Sequence, residues 1–143
     1  MIQRIQSIFL FLASGSCFGL FGADMADTPQ PVADSSLFQD ASFDLFDDPV
    51  LMGAFALAGV LFLANIFLFK NRKLQMKINI AGAVALGVGV GYGLVRLFTD
   101  SAASMALPDF GVAFPVLAMV FAILASHYIK SDEKLVRSAD RLR

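Results

Sequence analysis

Few side chains in this sequence are equipped for chemistry, and the most crowded of them are acids. Seven aspartates (Asp24, Asp27, Asp34, Asp40, Asp44, Asp47 and Asp48) crowd residues 24–48. Carboxylates are ligands for calcium or magnesium, but an EF-hand loop needs a central glycine and a closing glutamate, and this segment has neither. It reads as a solvated acidic loop in which Leu37, Phe38, Ala41 and Leu45 form at most a turn or two resting on a surface. Cys17 is the single cysteine and His127 the single histidine. An intrachain disulfide, a Cys-based zinc site and a His-pair metal site are therefore excluded, and a Ser-His-Asp arrangement would hang on one position. No catalytic residue, metal ligand set or cofactor site is expected, and the chain is not read as an enzyme.

The remaining polar group is Gln6, Asn65, Asn79, Ser126 and His127. Asn65 lies seven residues before Arg72 and Asn79 seven after it, so a hairpin turning near Arg72 brings both amides to similar depth, within bonding reach across the hairpin. Gln6 near the start of the chain, and Ser126 with His127 near its end, reach the same level. Such a group offers a polar site with a histidine that exchanges protons near neutral pH. The plainer role is interfacial solvation with interhelical hydrogen bonds of about 0.6 kcal/mol each, and it is preferred because no membrane-buried carboxylate accompanies the cluster.

The elements that must position these residues follow from composition. The chain is 57% apolar and 16% charged, against about 45–50% and about 25% for an ordinary soluble domain. The apolar residues gather into four blocks, 5–23, 49–69, 78–98 and 110–129, each of 19 to 21 residues. About 20 helical residues cross a hydrocarbon core of about 30 Å. The fold class predicted is all-α and integral to the membrane, with four transmembrane helices in an antiparallel bundle forming one domain over 1–143. Asp48-Pro49 places a capping acid before a first-turn proline, and Pro115 fits a first turn if the fourth helix starts near Val112. Arg96, two residues from the end of its block, is expected to reach the headgroups.

Charge sets the orientation. Lys70, Arg72, Lys73 and Lys77 lie between the second and third blocks, and Lys130, Lys134, Arg137, Arg141 and Arg143 follow the fourth. The other two connections, 24–48 and 99–109, carry nine acids and no cation. The positive-inside rule makes the basic pieces, and with them both termini, cytoplasmic. The first block also has the outline of a secretory signal, but cleavage after Ala23 or Ala26 would put Phe21 or Asp24 where a small residue is wanted. Ser14-Gly15-Ser16 before Cys17 lacks the branched residue of a lipoprotein site, so Cys17 is read as a small apolar residue within a helix. The formal net charge of −1 gives no sign of a nucleic-acid binder.

Three stretches carry a family resemblance: Met1-Ile2-Gln3-Arg4-Ile5-Gln6, Lys70-Asn71-Arg72-Lys73-Leu74-Gln75, and the closing run from Lys130 to Arg143. With them the chain resembles, over its whole length, a bacterial family known only as domain of unknown function 4293. The resemblance implies a small four-helix protein of the bacterial inner membrane with an uncleaved first helix, and it implies no activity. The aspartate-rich first connection departs from the family pattern.

The third block is studded with small residues. Ala83, Gly87 and Gly91 repeat at four-residue spacing, as do Ala81, Ala85, Gly89 and Gly93, and the two rows lie on nearly opposite faces of a helix. Small-xxx-small rows let helices approach closely, which predicts a central helix with a neighbour on each side. Val90-Gly91-Tyr92-Gly93 echoes a potassium-channel filter, but that filter needs extended backbone and here the tetrapeptide sits within an uninterrupted block. The tail 130–143 is expected to form a short basic amphipathic helix on the Leu135, Ala139, Leu142 stripe, with Glu133 paired to Arg137. Its cations suit anionic lipid headgroups or a cytoplasmic partner. The function expected is noncatalytic: a small membrane protein that packs with or docks a protein partner or a second copy. The alternative is a small transporter or proton-linked permease, for which only Ser14, Ser16, Cys17 and Tyr92 lie along the crossing path.

Overall fold

A computed structural model describes residues 3–140 and consists mostly of four helices packed together: α1 (Gln3–Gly19), α2 (Pro49–Asn65), α3 (Arg72–Thr99) and α4 (Ala113–Asp140). Over Ile5–Gly22, Pro49–Leu68, Arg72–Thr99 and Phe110–Ser138 the helical segments are long and apolar enough to cross a membrane. All four expected segments therefore fall on helix. Two boundaries differ from expectation. The third helix starts at Arg72 rather than near residue 78, because the Asn71 side chain accepts the Leu74 N–H at 3.1 Å and caps it there. The tail is not a separate short helix: α4 runs through Ile129 to Asp140 without a break, since nothing in that stretch is a helix breaker. At about 1.5 Å per residue the 28 residues of α3 or of α4 exceed the thickness of a hydrocarbon core.

Local signals fix the starts of α2 and α4. Asp48 Oδ1 accepts the Val50 N–H at 2.8 Å with Pro49 at the first helical position. Pro115 is the third residue of α4, in the first turn, where its missing N–H breaks no helical bond.

The core is built by fitting large side chains into small ones. On α3 the buried face runs Gln75, Asn79, Gly82, Leu86, Gly89, Gly93. α2 sets its rings and branched chains into that face, and a Cβ on Gly82 would come 2.8 Å from the Phe62 ring, one on Gly89 3.0 Å from Phe55, and one on Gly93 3.2 Å from Leu51. Leu10, Ala13 and Cys17 of α1, with Ala118, Ala122, Ala125 and Ile129 of α4, complete the interior. Ser14 donates to the Gly59 carbonyl at 2.9 Å, a direct tie between α1 and α2.

The acidic connection is folded, not a solvated loop. β1 (Ala26–Asp27) pairs antiparallel with both β2 (Ser42–Phe43) and β3 (Leu107–Pro108), in the order β2-β1-β3, with Ala26 opposite Phe43 on one side and Pro108 on the other. Leu37, Phe38, Phe43 and Leu45 are buried, as is Ala102 of the other connection. The apolar residues of 24–48 supply a small core of their own, while a helical turn at Leu45–Asp47 is capped by Asp44 Oδ1, which accepts the Phe46 N–H at 2.6 Å, and by Asp47 Oδ2, which accepts the Asp44 N–H at 2.9 Å. The chain enters β2 through Ala41, whose φ of 74° is left-handed.

Candidate functional site

Two polar groupings stand at the ends of this interior. The first grows from the inward faces of the helices. Gln6 on α1, Asn65 at the end of α2, and Gln75 and Asn79 one turn apart on α3 are all buried, the first three with no exposed surface at all. Gln75 Nε2 donates to the Asn65 carbonyl at 3.3 Å, and Asn79 Nδ2 donates to the Ala122 carbonyl at 2.9 Å and to Ser126 Oγ at 2.7 Å. The Phe9 ring stacks on Tyr128 at 5.3 Å, which brings the first turns of α1 beside the same stretch of α4. Beyond Ile129 the inward face of α4 ends in Asp132, also buried, and α3 begins with the half-buried Arg72.

Several atoms of this layer have no hydrogen-bond partner among the described residues: both carboxamide atoms of Gln6 and of Asn65, Gln75 Oε1, Asn79 Oδ1, Asp132 Oδ2 and Arg72 Nε. A carboxamide shut away from water without a partner costs about 1–3 kcal/mol. The layer is therefore the least satisfied part of the interior.

The expected cluster is thus partly assembled and partly corrected. Gln6, Asn65 and Asn79 are inside it and Ser126 is bonded to it. His127 is not: it is exposed and meets the edge of Tyr128 at 5.7 Å, because it follows Ser126 by 100° around the helix and turns outward. Nor do the two asparagine amides bond each other; Asn79 turns to α4, and Gln75 reaches the Asn65 carbonyl instead. Gln75 and Asp132 are the residues that sequence reading missed. Gln75 precedes Asn79 by one turn on the face of Gly82 and Leu86, and Asp132 extends the row Ala122, Ala125, Ile129, but both sit among cations and so looked like surface.

The second grouping centres on Asp48. While Oδ1 caps α2, Oδ2 accepts the Tyr92 hydroxyl at 3.0 Å and lies 3.2 Å from Arg96 Nε. Arg96 thus pairs with a buried carboxylate instead of only reaching for headgroups, although 35% of its side chain stays exposed. Next to it Asp100 accepts from Ser35 Oγ at 2.7 Å, from the Ser36 N–H and hydroxyl, and from the Ala102 N–H. Burial pushes the Asp100 carboxyl upward, but these four donors outweigh it and hold the group below its ordinary value. Asp24 is raised, by desolvation first and then by Asp27, Asp44, Asp109 and Asp40; Asp47 is raised by desolvation against the opposing pull of the Asp44 N–H. Carboxylate oxygens of Asp24, Asp27 and Asp109 come within 4.8 Å of one another at the surface.

The two small-residue rows of α3 have different fates. Gly89 and Gly93 are buried against α2 with Ala85 half-buried beside them, as close packing requires. Gly87 and Gly91 are exposed, with nothing within 4 Å of where a Cβ would stand, and Ala83 is half-buried. Among the described residues, then, α3 has a close neighbour on one of its two small faces and none on the other. Val90-Gly91-Tyr92-Gly93 is helical throughout, which removes the filter reading. Beside the open glycines an apolar groove of about 310 Å³ runs between α3 and α4, lined by Gly87, Val90, Pro115, Val116, Met119 and Val120. On the continuation of α4, Lys130, Lys134 and Arg137 are exposed, and Arg137 pairs with Glu133 at 2.7 Å as expected. Arg141 and Arg143 lie outside the described residues.

Over residues 2–142 the chain matches the family model described as Domain of unknown function (DUF4293), and it belongs to that family. No curated protein and no solved structure matches it.

Proposed function

We propose that this member of the DUF4293 family is a noncatalytic, multi-pass protein of a bacterial cytoplasmic membrane that associates with a transmembrane helix of a partner protein through the outward face of α3. The observation that carries this reading is the contrast along one helix. Gly82, Gly89 and Gly93 are each filled by a side chain of α2, while Gly87 and Gly91 meet nothing. Glycine in a helix interior costs about 1 kcal/mol relative to alanine. Where the chain itself makes no use of that notch, a close neighbour from another chain is the use that fits, and the adjacent groove between α3 and α4 is apolar along its lining.

The transporter alternative is less well supported. Between the carboxamide layer and the Asp48 grouping lie Leu10, Phe55, Ala58, Phe62, Leu86 and Ala118, all apolar and buried. Ser14 and Ser16 on that stretch spend their hydroxyls on the Gly59 and Leu12 carbonyls.

Orientation follows from charge. Lys70, Lys73 and Lys77 at the start of α3, and Lys130, Lys134 and Arg137 on α4, belong on the cytoplasmic side with both termini, and the strands on the outer side, in an antiparallel bundle. The exposed cations then lie where anionic lipid headgroups would meet them.

Affinity purification from native membranes in mild detergent tests the association. The wild type is expected to bring down a membrane protein that the double variant Gly87→Leu, Gly91→Leu does not, with the purified variant at least as thermally stable as the wild type. Equal recovery by both proteins overturns the proposal, and two differently tagged copies show whether the partner is a second copy. Reporter fusions after Arg143 and within 34–40 check orientation, with an external carboxyl terminus counting against it.

A further inference from the structure

We propose that the carboxamide layer is a binding site for a small neutral ligand that presents a hydrogen-bond donor and an acceptor side by side, either a bound water cluster or a carboxamide-like solute.

The atoms left over set the chemistry of the ligand. Gln6 and Asn65 each leave a complete carboxamide, oxygen and nitrogen together, without a partner among the described residues, and both residues are fully buried. A cation would satisfy the oxygens and leave Gln6 Nε2 and Asn65 Nδ2 still shut away from water. An anion would do the reverse. Only a ligand with both functions answers both ends of the dipole. Gln75 Oε1 and Asn79 Oδ1 add further acceptors from the adjoining turns of α3, whose own nitrogens are already engaged.

Charge points the same way. The two ionisable residues with buried unpartnered atoms at this end are Asp132 and Arg72, one acid and one base. They balance within the buried layer, while Lys70, Lys73, Lys77, Lys130 and Lys134 at this end are exposed and keep their charge outside it. The site is also closed on one side, because the layer gives way along the helices to Leu10, Phe62, Gly82 and Leu86. A ligand there is held at one end of the bundle and does not pass through it. Buried water commonly makes about three hydrogen bonds to polar groups that would otherwise go without, and the layer supplies that number from three helices.

Thermal unfolding of the detergent-solubilised full chain gives the sign. If the layer were dry, Gln6→Met and Asn65→Leu would each remove an unanswered buried dipole and raise Tm. If it holds the ligand, each variant loses a partner and Tm falls by several degrees. The wild type labelled with ¹⁵N at glutamine and asparagine decides the matter even if a variant fails to fold. Exchange or cross-relaxation between water and the Gln6 and Asn65 side-chain amides identifies bound water. A Tm increase with added acetamide that is lost in Gln6→Met identifies a carboxamide-like solute. Higher Tm in both variants, with no water or acetamide contact at either amide, overturns the proposal. So does stabilisation that depends on the identity of one inorganic cation or anion.

Discussion

Asp48 and Arg96 are joined at 3.2 Å by a carboxylate that also caps α2 through its other oxygen. One buried side chain thereby fixes the start of one helix and, with Tyr92, the end of another. Removing it uncovers a helix end worth about 1 kcal/mol and strands a partly exposed guanidinium. Asp48→Ala is expected to cost about 3 kcal/mol, and Tyr92→Phe about 1.5 kcal/mol, the loss of one hydrogen bond to a charged group. Chemical or thermal unfolding in detergent ranks the two, and a Tyr92→Phe loss as large as that of Asp48→Ala would contradict the central place given to the carboxylate.

The glycines of α3 divide by face. Gly89→Leu or Gly93→Leu forces Phe55 or Leu51 out of place, and overpacking of this kind costs about 1–3 kcal/mol. Gly87→Ala and Gly91→Ala meet nothing and gain helix propensity, about 1 kcal/mol each. The isolated protein should therefore melt earlier with the first pair and later with the second.

Gly111 holds the start of α4 against β1. Its N–H donates to the Asp24 carbonyl at 2.9 Å, and a Cβ there would collide with that same carbonyl oxygen, which belongs to backbone and cannot swing aside. Gly111→Ala should cost about 3 kcal/mol, the upper end for an added methyl group. Amide hydrogen exchange should show the loss first at Asp109, whose N–H donates to the Met25 carbonyl at 3.0 Å, and then at Met25, whose N–H donates to the Phe43 carbonyl at 2.8 Å.

Stability should depend on pH with two opposing signs. Asp100 is lowered in the folded chain, so its contribution is present above the ordinary carboxylate value of 3.8 and is lost as pH falls through its lower folded value. Asp24 and Asp47 are raised, so their contribution is present below 3.8 and is lost as pH rises through their higher folded values. Acidifying from neutrality should first raise Tm slightly and then lower it. Asp24→Asn should reduce the rise to the part that Asp47 contributes, and Ser35→Ala should weaken the fall; a profile unchanged by both would refute these assignments.

The sequence by itself determined the four apolar helices, the cap at Asp48-Pro49, the first-turn place of Pro115 and the Glu133–Arg137 pair. These depend on contiguous residues or on spacings of three and four along one helix, and such relations survive whatever the rest of the chain does. It also brought Gln6, Asn65, Asn79 and Ser126 toward one level, because a hairpin fixes depth. Which way each side chain turns was decided by tertiary packing. His127 and Ser126 are neighbours in sequence, yet one faces out and the other receives Asn79. Gln75 and Asp132 lie among lysines and arginines but sit on inward faces, since burial follows angle around the helix and not local charge. The two glycine rows of α3 look equivalent along the chain, and only the seat taken by α2 made one of them interior. The aspartate-rich segment read as solvated because its seven acids interrupt its apolar residues before any run approaches the length of a span. It folds because β1 finds β3 about eighty residues away, an antiparallel pairing that no local pattern encodes.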